Sequence, residues 1–370
     1  MRGGTSKAIM FDGRDLPADR GRWDRLFTAA MGSPDPYGRQ LNGMGGGVSS
    51  LSKVCIVTPS MRSDADIDYT FAQVQIREAR VDYRGNCGNM SSAVGPFALD
   101  RGIVEASGSA ATVRIFNTNT GKLIHATFPL RDGRPDYAGD LAIPGVGGTG
   151  APIRLDFIAP GGATTGKLLP TGHTRDRLDV PGLGPIEVSM IDAANACVFV
   201  AAGDVGLTGR ELPDELDARA DILARLAELR VQASLAMGIA RTAEEARAIG
   251  VVPFVGLVSP PADAPTLSGT PLRQDQMDLA ARVISSGQPH RALPLTISLC
   301  TAIAARIGGT VVADALPQAT PRQGLLRLGM PSGVLTVEAD VTQTQNGGWD
   351  ARSGAFYRTA RPLFSGHVHV

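Results

Sequence analysis

The chain repeats itself, and that limits what it can fold into more than any other feature. Residues 190–200 echo residues 1–11 at an offset of 189, and residues 255–260 echo 54–59 at an offset of 201. Ala305-Arg306-Ile307-Gly308 echoes Leu99-Asp100-Arg101-Gly102 at an offset of 206. Leu326-Arg327-Leu328, with Ser332-Gly333-Val334-Leu335, echoes Val113-Arg114-Ile115, with Thr120-Gly121-Lys122-Leu123. The offset rises along the chain, as insertions in the second copy would make it. Ordered echoes of this kind mark two homologous halves, and 370 residues are enough to give each its own core. The expected halves are residues 1–182 and 183–344, divided at a Pro/Gly-rich stretch around Val180-Pro181-Gly182, with a final strand in 345–370 returning to the first half. The second copy carries Gly184-Pro185-Ile186-Glu187-Val188-Ser189 ahead of Met190. The first has no equivalent, so a strand preceding Met1 is expected.

Each copy reads as short strands around one helix. In the first copy, strands are expected in 6–11, 54–57, 67–69, 72–76 and 79–82, a hairpin in 111–128, and helices in 15–31 and 90–100. The second copy adds a long helical stretch, 214–237, whose Leu216, Ile222, Leu223, Leu226 and Leu229 form an apolar stripe that reads as ordinary core packing. With 45 glycines and 25 prolines, a turn-rich α/β (α+β) globule is favoured over a helical bundle. Two such halves are expected to meet at a cleft, a common setting for small-molecule sites.

Net charge is zero and the pI is about 7.0, so nothing points to nucleic acid or a membrane surface as partner. No apolar run approaches the length of a membrane span, and no signal-peptide core follows Met1. Cys55, Cys87, Cys197 and Cys300 are far apart and lack metal-ligand spacing, so they read as free thiols of a cytoplasmic protein. There is no Walker loop, the dinucleotide reading of the Gly45 region is weak, and no Ser-His-Asp order is evident among five histidines.

The chemistry concentrates in Val81-Asp82-Tyr83-Arg84-Gly85-Asn86-Cys87-Gly88-Asn89-Met90. A strand leads in and a helix leads out. Asn86, Gly88 and Asn89 can turn their amides toward a ligand, and the helix start adds free N–H groups and a positive dipole end that suit a carboxylate. The same field favours a Cys87 thiolate. The alternative is that Cys87 is a small core residue at a tight turn. Lys53 follows a glycine-rich loop carrying Ser49 and Ser50, and it is either a base held neutral by its surroundings or a surface lysine at a strand edge. Thr5 and Ser6 supply hydroxyls at the first bend. The repeat aligns Cys87 with Leu293, which brings His290 and Arg291 opposite the cysteine loop, with Arg291 suited to a distal carboxylate. Cys300 falls two turns into its helix and reads as core.

Met1-Arg2-Gly3-Gly4-Thr5-Ser6-Lys7, Gly43-Met44-Gly45-Gly46, Ser52-Lys53, Gly85-Asn86-Cys87-Gly88-Asn89, Leu169-Pro170-Thr171-Gly172 and Pro331-Ser332-Gly333 resemble the PrpF family across nearly the whole chain. That family includes 2-methylaconitate cis-trans isomerase, 3-methylitaconate Δ-isomerase and 4-oxalomesaconate tautomerase. The resemblance implies two pseudo-symmetric diaminopimelate-epimerase-like domains, each a curled, mostly antiparallel sheet around a central helix, with no cofactor and no metal. It implies a lysine and a cysteine flanking the substrate, by motif position Lys53 and Cys87, and a hydroxyl from Ser332. The expected activity is a 1,3-allylic proton shift or cis-trans isomerisation of an unsaturated di- or tricarboxylate. Small anionic polycarboxylates are then the partners, and a homodimer is the assembly considered. A cysteine-based racemase, which needs a second thiol facing Cys87, and a non-catalytic accessory protein to a hydratase are the alternatives.

Overall fold

The computed structural model describes residues 1–83, 86–249, 252–285, 287–321 and 323–370. The chain divides into two compact units: Met1–Ile158 with Tyr357–Val370, and Ala159–Phe356.

In the first unit Ser6–Asp12 runs parallel to Lys53–Pro59, which pairs antiparallel with Ile67–Val74. Ile67–Val74 pairs parallel with Ala110–Asn117, which forms an antiparallel hairpin with Lys122–Arg131, and Ile153–Ile158 adds to that hairpin. The second unit repeats the pattern. Asn195–Ala201 runs parallel to Phe254–Ser259, which pairs antiparallel with Leu279–Ser285. Leu279–Ser285 runs parallel to Leu325–Met330, itself hairpinned to Gly333–Gln343. The register repeats too: Ile9 faces Val54 in one unit and Val198 faces Val255 in the other. This is the diaminopimelate-epimerase-like architecture.

One polar device appears in both copies where the parallel strands join. The backbone N–H and guanidinium of Arg114 donate to Asp66, and Arg114 reaches Ser63 O. Arg327 does the same with Asp278 and Asp275 O. The Val113-Arg114-Ile115 echo in the sequence is this clamp.

Each sheet curls around one helix, Gly88–Asp100 in the first unit and Leu295–Arg306 in the second. Small residues let the first helix lie close: a Cβ on Gly95 would come within 2.9 Å of Phe128 and 3.2 Å of Ala126. All twelve residues of the second helix are buried. On the outer face of the first sheet, Trp23, Phe27 and Met31 of the helix Trp23–Met31 cover Val54, Ile56, Ala72 and Val74. In the second unit, Ile222, Leu226 and Leu229 cover Val198, Val255 and Leu257.

The local differences from the sequence reading have local causes. Helix 15–31 begins only at Trp23, because Pro17 and the Asp19-capped turn Arg20–Arg22 interrupt its start. The stretch 214–237 breaks into Pro213–Asp217 and Ala220–Ala236. Residues 159–182 fall within the second unit, where Asp176–Val180 pairs antiparallel with Gly184–Ala193. Of the final stretch, Tyr357–Val370 belongs to the first unit, and Ala360–Arg361 pairs with Arg2–Gly3. Among the described residues no helix is long and apolar enough to cross a membrane.

Candidate active site

Lys53 opens its strand and Cys87 immediately precedes the central helix of the same unit. In the parallel register Lys53 is opposite Ala8. Ser6 lies two residues before Ala8 and therefore shares its face of the strand. The Cys87 thiol lies 3.8 Å from Ser6 Oγ. Ser6 and Ala8 thus lie between the amine-bearing strand and the thiol, and both are 4% exposed.

Cys87 has extended backbone angles, as an N-cap residue does, but makes no side-chain capping bond. It is the half-buried thiol of the four, while Cys55, Cys197 and Cys300 are sealed. Burial pushes Cys55 up to about 12 and raises Cys197 and Cys300 as well, which makes these three inert thiols. The reading of Cys300 as core fits its burial and its contact with Ile191 O at 3.6 Å.

The glycine-rich first bend exists to meet the helix start. A Cβ on Gly3 would come within 2.8 Å of Asn89 O, and one on Gly4 within 2.2 Å of Asn89 Oδ1. Gly4 also has φ +52°, which a side chain disfavours. The Thr5 N–H and Arg358 Nε both donate to Asn89 Oδ1, each at 3.3 Å. Asn86 Oδ1 accepts from Asn117 Nδ2 at 3.3 Å. The first-turn N–H groups of Gly88 and Asn89 have no acceptor within their own helix. Arg84 and Gly85 of the cysteine loop lie outside the described residues.

Lys53 is 8% exposed, so it is not a surface lysine. Its Nζ donates to Gln73 Oε1 at 2.5 Å and lies 5.0 Å from the centroid of the Phe71 ring. The preceding loop is wired in place by Gln40, which is 1% exposed. Gln40 Nε2 donates to Ser52 Oγ and Ser33 Oγ, and its Oε1 accepts from the Gly47 N–H. Ser49 is exposed and Ser50 half-buried, both on a short turn before Ser52.

The remaining expected residues belong to the second unit. The His290 ring accepts from the Ala292 N–H at 3.1 Å. Arg291 is exposed and paired with Asp214 at 3.0 Å. Ser332 has a buried Oγ without a hydrogen-bond partner among the described residues. The repeat alignment matches Cys87 with Leu293, and the helix ends Asp100 and Arg306 keep that offset. The helices begin at Gly88 and Leu295, so the residue that precedes the second helix, as Cys87 precedes the first, is Pro294. The second copy has neither a thiol nor an N-cap hydroxyl there.

Gln73, Gln40 and Arg358 escaped sequence reading. Arg358 lies 269 residues from Asn89 in the chain and meets it only because the last strand returns. Burial pushes its guanidinium down to about 10.

The family model described as "PrpF protein" matches residues 1–370. The chain belongs to the PrpF family. Among its relatives, a 3-methylitaconate isomerase of Eubacterium barkeri is 42% identical over 372 residues, covering 100% of this chain and 96% of that one. A 2-methyl-aconitate isomerase of Shewanella oneidensis is 37% identical over 381 residues, covering 100% and 95%. The crystal structure of a methylitaconate-delta-isomerase superposes with a TM-score of 0.86 at 42% identity, covering 99% of this chain and 92% of that one. Full-length membership at these identities makes this PrpF-family chain an isomerase.

Proposed function

We propose that the protein moves a proton across the allylic system of an unsaturated di- or tricarboxylate resembling methylitaconate, methylaconitate or oxalomesaconate. What supports this reading is that the nearly buried amine Lys53 stands beside Ala8 while the half-buried thiol Cys87 meets Ser6, two residues away on the same face of that strand.

In this mechanism Lys53, as the neutral amine, takes a proton from the carbon adjacent to the double bond. The electron pair left behind spreads through the double bond into a carboxylate, giving a dienolate. The N–H groups of Gly88 and Asn89 are already aimed at the helix start and stabilise that charge where it develops. Thr5, Ser6, Asn86 and the Ser49–Ser50 turn bind the substrate's oxygens. Cys87 returns a proton, or polarises the substrate while Lys53 returns its own. Return at the far allylic carbon moves the double bond, and return at the original carbon after bond rotation exchanges cis for trans. One proton leaves and one arrives, so no oxidant or reductant is consumed. A two-thiol racemase is disfavoured, because Pro294 stands where the second thiol would be and Cys197 and Cys300 are sealed.

Incubation in deuterium oxide with methylitaconate, 2-methylaconitate and 4-oxalomesaconate tests the reading by proton NMR. Label is expected at an allylic carbon of at least one acid. Lys53→Ala should slow that exchange by roughly 10³-fold or more, as loss of a proton-transferring group does. Absence of exchange with all three acids, or full exchange by Lys53→Ala, overturns it.

A further inference from the structure

We infer that Gln73 is a positioning residue that fixes the Lys53 amine for proton transfer; this rests on the reading of Lys53 as the base. Gln73 and Lys53 are direct cross-strand neighbours. The Gln73 amide has one workable orientation. Its Nε2 donates to Ser52 O at 2.8 Å and Ser49 O at 3.1 Å. Those carbonyls only accept, so a flipped amide would set its oxygen against two carbonyl oxygens. Oε1 must therefore face Lys53, and it does, at 2.5 Å.

The platform behind the amide is rigid. Ser52 is fully buried, receives Gln40 Nε2 at 2.7 Å, and donates its own hydroxyl to Val74 O at 2.9 Å. Phe71, two residues before Gln73 on the same face, backs the amine from below. A free lysine side chain samples many rotamers. Here that freedom is already removed before substrate arrives, which favours a near-attack geometry. Gln73 Oε1 is the only hydrogen-bond partner of Nζ among the described residues, so the other donors or the lone pair remain for substrate. The same amide ties the amine to the Ser49–Ser52 turn, so binding at the turn and placement of the base are mechanically linked.

The test uses the protein and whichever of methylitaconate, 2-methylaconitate and 4-oxalomesaconate it labels in deuterium oxide, with kcat and KM for exchange measured against pH. Gln73→Met keeps length and removes the acceptor; it is expected to lower kcat by about 10- to 100-fold with KM changed less than about threefold, the pattern of lost orientation. Gln73→Glu keeps an acceptor but adds charge beside the amine, favouring the ammonium, and should move the acidic limb of the kcat profile upward by about one pH unit or more. The other titratable groups near this face are Asp82, the register partner of Gln73 on the neighbouring strand, and Cys55, Tyr69, Cys87 and the Met1 ammonium; both variants leave all five in place. A packing role alone would leave that limb where it is. Wild-type kcat in Gln73→Met, or an unmoved limb in a folded Gln73→Glu, overturns the inference. Exchange that survives Lys53→Ala instead overturns the reading of the base, and the two failures are told apart by which variant keeps its activity.

Discussion

The two central helices begin in matching places and have been put to different uses. Before the Gly88 helix stands Cys87, with Gly4 at φ +52° and Asn89 half-buried against it. Before the Leu295 helix stands Pro294, with Ala194 at φ +60°, and Asn195 Nδ2 bonded to Thr296 Oγ1 at 2.7 Å. Topology, strand register and the aspartate–arginine clamp are shared. The second start is closed by buried Leu295 and Thr296, while the first leaves a thiol and an amide partly open. A duplicated fold thus supplies the same backbone field twice, and the side chains at the two helix starts differ.

The largest effect that would break this contrast comes from Cys87→Ser. Serine is a favoured N-cap and cysteine is not, so the variant should gain about 0.5–1 kcal/mol in urea unfolding. Isotope exchange should nonetheless fall by about 10²- to 10⁴-fold if the thiol takes part in proton transfer. A variant that is more stable and equally active would make Cys87 a packing residue. Pro294→Ser, at the matching place, should leave exchange unchanged.

Next in size is the reciprocal pair Gly4→Ala and Ala194→Gly. Both positions hold left-handed backbone. Alanine at position 4 adds strain of about 1–3 kcal/mol, and its methyl pushes Asn89 Oδ1 off Thr5 and Arg358, so exchange should fall too. Glycine at position 194 relieves strain and should stabilise by about 0.5–1 kcal/mol with activity unchanged. Thermal melts and exchange rates measure both; equal responses at the two positions would erase the proposed asymmetry.

The smallest effect concerns acid. Burial works against the Asp66 carboxylate, but the hydrogen bonds and charge of Arg114 outweigh it and hold Asp66 below the usual carboxylate range. Its stabilisation is fully present above the unfolded value of about 3.9 and is lost as pH falls through the lower folded value. Melting temperature should therefore drop more steeply below pH 4 in the wild type than in Asp66→Asn. Parallel curves would mean that the first clamp contributes nothing to acid stability.

The duplicated strand order was legible because echoes such as 54–59 with 255–260 preserve apolar spacing, and the sheet register follows from that spacing. The cysteine loop was legible because Gly and Asn around a helix start have few structural reasons to cluster. The helix in 15–31 was overextended because capping at Asp19 is a local geometric event. A repeat alignment does not resolve which residue precedes a helix, so it does not single out Pro294.

By itself the sequence determined the duplication and the PrpF family, since both are written in contiguous stretches. Only the tertiary structure decided that Gln73 holds the amine, that Arg358 and Thr5 orient Asn89, and that Pro294 replaces the second thiol. Those contacts join residues distant in the chain, and hydrogen bonds between them depend on register and side-chain direction, which no local pattern of residue types encodes.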